Sequence, residues 1–223
     1  IGLAGKLAVD YIVRELKLPK IAELITDGLL LHSNVAIFVD EESILHLPTY
    51  EFYLLETQRD TVFVTAPAQP VAWMQYEVAD YILDYFQAIG GSEVISVCGT
   101  TMGEGEGVYF AAPTGAIKEE LIKMGFKPSP GGVITGACGL LPALASLRGL
   151  KSYVLMSFVN QLELDPAAAK QPVQALSKLL GVAVDMKNLD ALIEEAKQRE
   201  AEVAEAMKES ARARKLEGPP FYV

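Results

Sequence analysis

The sequence predicts an α/β fold with a largely parallel sheet and helices on both faces. Three observations lead there. In the second half of the chain, strand-like runs ("EVISVCG", "KSYVLMSFV") alternate with amphipathic stretches ("TGAIKEELIKMGF", "DPAAAKQPVQALSKLLG"). That alternation is the signature of parallel strands joined by crossover helices. Between residues 21 and 66 several short β-favouring runs follow one another directly, which adds an antiparallel part to the same sheet. Finally, 51% of the residues are apolar and 22% charged, enough to bury a sizeable core and too few charges for a disordered chain.

The elements follow in order. "GLAGKLAVDYIVREL" carries Leu3, Leu7, Ile12, Val13 and Leu16 at helical spacing, and Pro19 stops it. "IAELI", "VAIFV", "SILHL", "YEFYLLE" and "TVFVTA" read as short strands separated by Pro, Gly, Asn or charged clusters. A helix begins close to Pro70, runs through "VAWMQYEVADYILDYFQA" and ends on Gly90-Gly91. "EVISVCG" is a buried strand and "VYFAAP" a second short one. Thr114 then opens the helix "GAIKEELIKMGF". "GGVITGACGLLPALASLRG" predicts a glycine-rich turn, a short strand and a helix interrupted or started near Pro142. After the strand "KSYVLMSFV", Asp165 caps a helix with Pro166 at its first position, Pro172 kinks or restarts it, and Gly181 closes it.

Beyond Val184 the texture changes. "NLDALIEEAKQREAEVAEAMKESARARKLE" is rich in Ala, Glu, Lys and Arg and lacks Gly and Pro. At ~1.5 Å per residue it predicts a helix of roughly 45 Å. Its apolar stripe is thin and broken at Glu200, so a solvated terminal helix is expected rather than a coiled-coil seam. The organisation is therefore residues 1–185 as the α/β domain, 186–217 as a charged helix, and 218–223 as a flexible tail.

The net charge is −10 with a pI near 4.8. Nucleic-acid affinity needs clustered cations on phosphates, so no nucleic-acid partner is expected, and an anionic membrane surface is disfavoured for the same reason. No apolar stretch reaches the ~20 residues that span a bilayer. No signal peptide is visible, although the chain opens on Ile1 without a methionine. A cytoplasmic protein is expected.

The residues of known catalytic motifs are scarce. His32 in "LLLHSN" and His46 in "SILHLP" read as packed or surface histidines. Cys98 and Cys138 read as two small buried reduced thiols, without the four-ligand spacing of a zinc site. There is no G-x-S-x-G, H-E-x-x-H or C-x-x-C. An enzyme is not expected, and no cofactor or metal is implied.

The one loop with the look of a ligand site is "CGTTMGEGEGVYF". It follows a strand, where α/β folds place ligands, and glycines can expose backbone N–H groups to an anion. It departs from the G-x-x-x-x-G-K-[ST] pattern, and Glu104 and Glu106 would repel phosphate. A mobile acidic loop at an oligomer surface or pore is one reading. The rival is an enzyme or binding protein for a nucleoside or small anionic ligand at residues 99–107. "PSPGGVITGACG" is explained by tight packing or a turn.

The last residues, "GPPFYV", offer a different chemistry. Gly218, Pro219 and Pro220 break the helix, and the prolines favour an extended conformation that loses little entropy on docking. Phe221 can fill an apolar slot and the Tyr222 hydroxyl can make one directed hydrogen bond. The terminal carboxylate of Val223 can meet a lysine or a nest of N–H groups. A frayed end is the plain alternative.

Several segments together resemble the archaeal branch of the proteasome-assembly-chaperone family: "GLAGKLAVDYI", "KIAELITDGL", "QPVAWMQYEVADYILDY", "GGVITGACGLLPALASLRGLK" and "LDPAAAKQPVQALSKLLGVAVD". They span residues 2 to 185 in the family's order. The resemblance implies a three-layer α/β/α domain with a mixed, largely parallel central sheet, related in architecture to nucleoside phosphorylases, with no established catalytic centre. It also implies a hydrophobic–Tyr–any-residue tail, here Phe221, Tyr222 and Val223, that inserts between α subunits of the proteasome core particle. The family usually begins with a strand and a glycine turn ahead of "GLAGKL", and the chain departs from it there. The expectation is an ATP-independent assembly chaperone, adaptor or activator that acts as a homo-oligomer.

Overall fold

A computed structural model describes residues 1–29, 37–105 and 107–216. It divides into two units, residues 1–184 and 185–223. The first unit runs α1 (Ala4–Glu15), β1 (Lys20–Leu24), β2 (Phe38–Val39), β3 (Leu45–His46), β4 (Tyr50–Leu55), β5 (Thr61–Thr65), α2 (Gln75–Ala88), β6 (Glu93–Thr100), β7 (Val108–Ala111), α3 (Gly115–Lys123), β8 (Lys127–Pro128), α4 (Ala137–Leu147), β9 (Lys151–Phe158) and α5 (Pro166–Leu180). The second contains α6 (Lys187–Leu216).

The main sheet is mixed, in the order β6-β9-β7-β8. β6 is parallel to β9 and β7 to β8, while β7 and β9 are antiparallel. β9 lies inside the sheet, and its run Ser152–Ser157 is buried at every position. Such a continuous apolar run marks a strand covered on both faces. The covers are α4 with α2 behind it, and α1 packed with α5. Three layers result, with mixed strand directions in the middle.

Local signals set most of the boundaries. The Thr114 hydroxyl accepts from the N–H of Ile117, and the Asp165 carboxylate accepts from Ala168 N–H at 3.0 Å, so both caps work as the residue types predict. The chain before α2 enters through a short 3-10 turn at Ala72–Met74. At the end of α4, Arg148 reaches across to Asp80 and Asp84 of α2, each at 2.6 Å, and ties the two helices of one layer.

Three expectations are corrected. The antiparallel strands β1, β4 and β5 form a sheet of their own, and β2 pairs only with β3 among the described residues, so neither set extends the main sheet. The reason lies at the edge of β6. The carbonyls of Ser92 and Thr100 accept from Lys151 and Val159 of the β9 side, so the carbonyl of Val97, odd in register, points the other way. There it meets α1: a Cβ added to Gly5 would stand 1.9 Å from the Val97 oxygen. A helix that close to the edge backbone occupies the position a pairing strand would need at Val97.

"GGVITG" forms no strand. Gly131 and Gly132 hold φ of +110° and +121°, outside the extended region. The extended pairing falls earlier, at the two-residue edge strand β8, where Pro128 has no ladder bond to lose. Finally, α4 neither starts nor breaks at Pro142, and α5 does not restart at Pro172. Both prolines are buried, and the Pro142 carbonyl accepts the Ser152 hydroxyl at 2.7 Å. Packing against the sheet offsets the hydrogen bond each proline removes.

Candidate functional site

Four places carry side chains or backbone that could act. The first is α6, a helix of 30 residues. Its middle is solvated: Val203 and Met207 stand exposed, and Arg199 pairs with Glu195 one turn back at 3.8 Å. The residues it leads to in the sequence, Gly218, Pro219, Pro220, Phe221, Tyr222 and Val223, lie outside the described residues.

The second is the glycine-rich loop after β6. Tyr109 grips it: its hydroxyl accepts from the Glu104 N–H at 3.0 Å and donates to the Glu104 carbonyl at 2.9 Å. Gln171 of α5 accepts from the Gly107 N–H, and Thr100 accepts from Met102 N–H at 3.0 Å. Three of the N–H groups that an anion would need are thus already engaged. These bonds hold the loop backbone at Met102, Glu104 and Gly107, and Tyr109 and Gln171 were missed because they sit 5 and 64 residues away from the groups they hold. Glu106 lies outside the described residues.

The third is a cavity of about 390 Å³ lined by β5, β6, α2, the first turns of α4 and residues of α1. Phe52, Val64, Ile82, Phe86 and Leu141 make much of its wall. Its cations are spent: Lys6 bonds Asp10, and Arg59 bonds Glu93, which also meets Lys151 at 3.3 Å. The Gln69 carbonyl oxygen accepts from the Ala137 N–H at 3.0 Å. The cavity therefore offers apolar wall and paired charge, a poor match for a free phosphate. Tyr50, also on the wall, is buried with no hydrogen-bond partner for its hydroxyl among the described residues, and burial pushes its pKa well up.

The fourth is the pair of cysteines. Cys98 on β6 and Cys138 in the first turn of α4 are free thiols of intermediate exposure, so neither is sealed in the core as the sequence suggested. Both pack against the buried cluster of Tyr109, Val154 and Met156, which brings the two thiols within reach of each other. That contact between the thiols holds the Cys98 thiol below its ordinary pKa and raises that of Cys138, which keeps its proton.

The histidines are unremarkable. His46 sits exposed on β3 and bonds the Asp40 carboxylate at 2.7 Å, holding that carboxyl below its usual range; His32 lies outside the described residues. No group of three His, Cys, Asp or Glu among the described residues could hold a metal ion. No helix among them is long and apolar enough to cross a membrane.

The model of the PAC2 family matches residues 1–207. The chain belongs to the PAC2 family. Among solved structures, it is similar to Pyrococcus furiosus PbaB, an archaeal proteasome activator, with a TM-score of 0.81 and 30% identity over 92% of this chain and 89% of that one. It is similar as well to Pyrococcus furiosus PbaA, an archaeal homolog of proteasome-assembly chaperone, with a TM-score of 0.74 and 26% identity over 97% of this chain and 89% of that one. An uncharacterized protein of Methanocaldococcus jannaschii is 26% identical over 85% of this chain and 74% of its own length. The PAC2 fold is thus established over the α/β body, and the mixed sheet with its two helical covers is how this member builds it.

Proposed function

We propose that this PAC2 protein is a non-enzymatic proteasome-assembly chaperone or activator that binds the proteasome core particle without ATP. It acts through its last residues. Phe221 and Tyr222 enter pockets between α subunits, Val223 follows them, and Gly218, Pro219 and Pro220 let the segment swing away from the helix. The body and the tail are separate parts in this reading, residues 1–185 for assembly and 218–223 for docking, with the helix between them as a strut.

The observation that carries the proposal is an order in the sequence: a helix of 30 residues, then Gly-Pro-Pro, then Phe-Tyr-Val, in a member of this family. The relatives support the partner, since PbaB is a proteasome activator and PbaA a homolog of proteasome-assembly chaperone. A single short tail buries little surface and binds weakly; several tails on one oligomer raise the effective concentration steeply. Self-association is favoured by apolar side chains that the body leaves in water. Trp73 is 78% exposed and Leu45 of the β2–β3 hairpin 66%, with Phe38, Val39 and Leu47 beside it on the same short segment.

The test removes residues 221–223, or replaces Tyr222 with alanine, and follows capture of proteasome α-rings in a pull-down. Binding should fall by at least ~10-fold, as expected when a multivalent anchor loses its contact residue. Undiminished capture by the deleted protein overturns the proposal.

A further inference from the structure

The two cysteines are the only ones in the chain, and they lie 40 positions apart, on a strand and on a helix of different layers. The fold nevertheless places both thiols against one patch of core. Cys98 and Cys138 pack on the same buried cluster of Tyr109, Val154 and Met156. Both keep partial exposure, and Cys138 also lines the wall of the cavity, so a small oxidant can reach them. Cys98 stands near the end of β6 and Cys138 in the first turn of α4. A disulfide needs its sulfurs about 2.05 Å apart, so closing it draws the first turn of α4 toward β6.

We propose that Cys98 and Cys138 form a redox modification site, closing reversibly into an intramolecular disulfide that clamps the end of β6 to the start of α4. The oxidant is hydrogen peroxide. The Cys98 thiolate attacks the peroxide oxygen, the O–O bond breaks, and Cys98 becomes a sulfenic acid as hydroxide leaves. The Cys138 sulfur then attacks the Cys98 sulfur, an S–S bond forms, and the hydroxyl departs with the Cys138 proton as water. Two electrons pass from the thiols to the peroxide, and a dithiol reductant returns them. The roles follow from which thiol ionises more readily: Cys98, held below its ordinary pKa, attacks first, and Cys138, which keeps its proton, resolves.

The clamp has a structural consequence. The glycine-rich loop that starts at Gly99 and the glycine-rich segment that ends at Gly136 are neighbours in space, since a Cβ added to Gly132 would touch Met102 at 3.5 Å. A bond between Cys98 and Cys138 joins the roots of both. These two loops are the motifs that proteasome docking by the tail leaves unused, and this inference does not depend on that docking.

The experiment treats the folded full-length protein with hydrogen peroxide, with circular dichroism recorded before and after. The protein is then denatured, exposed to a thiol-alkylating reagent without reductant, and weighed by mass spectrometry. The expected result is a single chain lighter by two hydrogen atoms, closed to alkylation, with a proteolytic fragment linking the Cys98 and Cys138 segments. Dithiothreitol should restore two alkylatable thiols. Cys98→Ser and Cys138→Ser should each abolish the linked fragment. Three results would overturn the proposal: thiols that stay open to alkylation, oxygen added to cysteine without a link, or links formed only between two chains.

Discussion

Within the body, Leu83 and Leu155 are wholly sealed from solvent, whereas in α6 Val203 is 54% and Met207 68% exposed. The body's helices are held by what they cover. α1 and α4 press on β6, α5 presses on β9, and each buries a row of small or branched side chains there. The middle of α6 has no such face to bury. Its helicity comes from composition: Ala, Glu, Lys and Arg in an uninterrupted run without Gly or Pro, with exposed pairs one turn apart. A helix of this kind keeps its form by local preference, which suits a spacer whose partner is met elsewhere. Apolar burial is concentrated in the first unit, and the middle of α6 does without it.

The contrast can be broken by substitution. Leu155→Ala should cost about 2–5 kcal/mol, because a fully buried leucine on the central strand leaves a cavity between two rigid helical layers. Urea unfolding followed by circular dichroism measures it, and a cost below ~1 kcal/mol would mean the body is not held by that core.

Asp165→Ala should come next, at about 2 kcal/mol. This buried carboxylate accepts from the N–H groups of Asn160 at 2.7 Å, Gln161 at 3.3 Å and Ala168 at 3.0 Å, so its loss strands three donors at the start of α5. Asp165→Asn, which keeps an accepting oxygen, should recover part of the loss in the same assay. Recovery by asparagine would show that the donors, and not the charge, decide the position.

Arg199→Ala sharpens the comparison from the other side. Its pair with Glu195 is 3.8 Å long between well-exposed side chains, and its removal should change stability by less than ~0.5 kcal/mol. A larger effect would require α6 to be held by more than its local sequence.

Much of the architecture was legible because its signals are local. Thr114 and Asp165 as caps, the helix stop ahead of Pro19, and most of the strand-helix alternation from Glu93 to Leu180 can each be read within a few residues of chain. The prolines misled for the same reason. Pro142 and Pro172 carry a local cost, and only burial against the sheet, invisible in a short window, outweighs it. The tail "GPPFYV" reads as a helix break followed by an aromatic pair, and what it binds belongs to the proposal. The hold on the glycine-rich loop was not legible: Tyr109 looks like a core aromatic and Gln171 like a surface amide until folding brings them to Glu104 and Gly107.

The sequence by itself determined most of the element types, their order, and the caps that begin α3 and α5. Tertiary structure alone decided which strands share a sheet, that α1 meets the edge of β6 at Val97, and that two thiols 40 residues apart pack on one patch of core. The physical reason is range. Backbone preference and capping act over a turn or two of chain, whereas strand pairing and thiol contact depend on distances in space that no local pattern encodes.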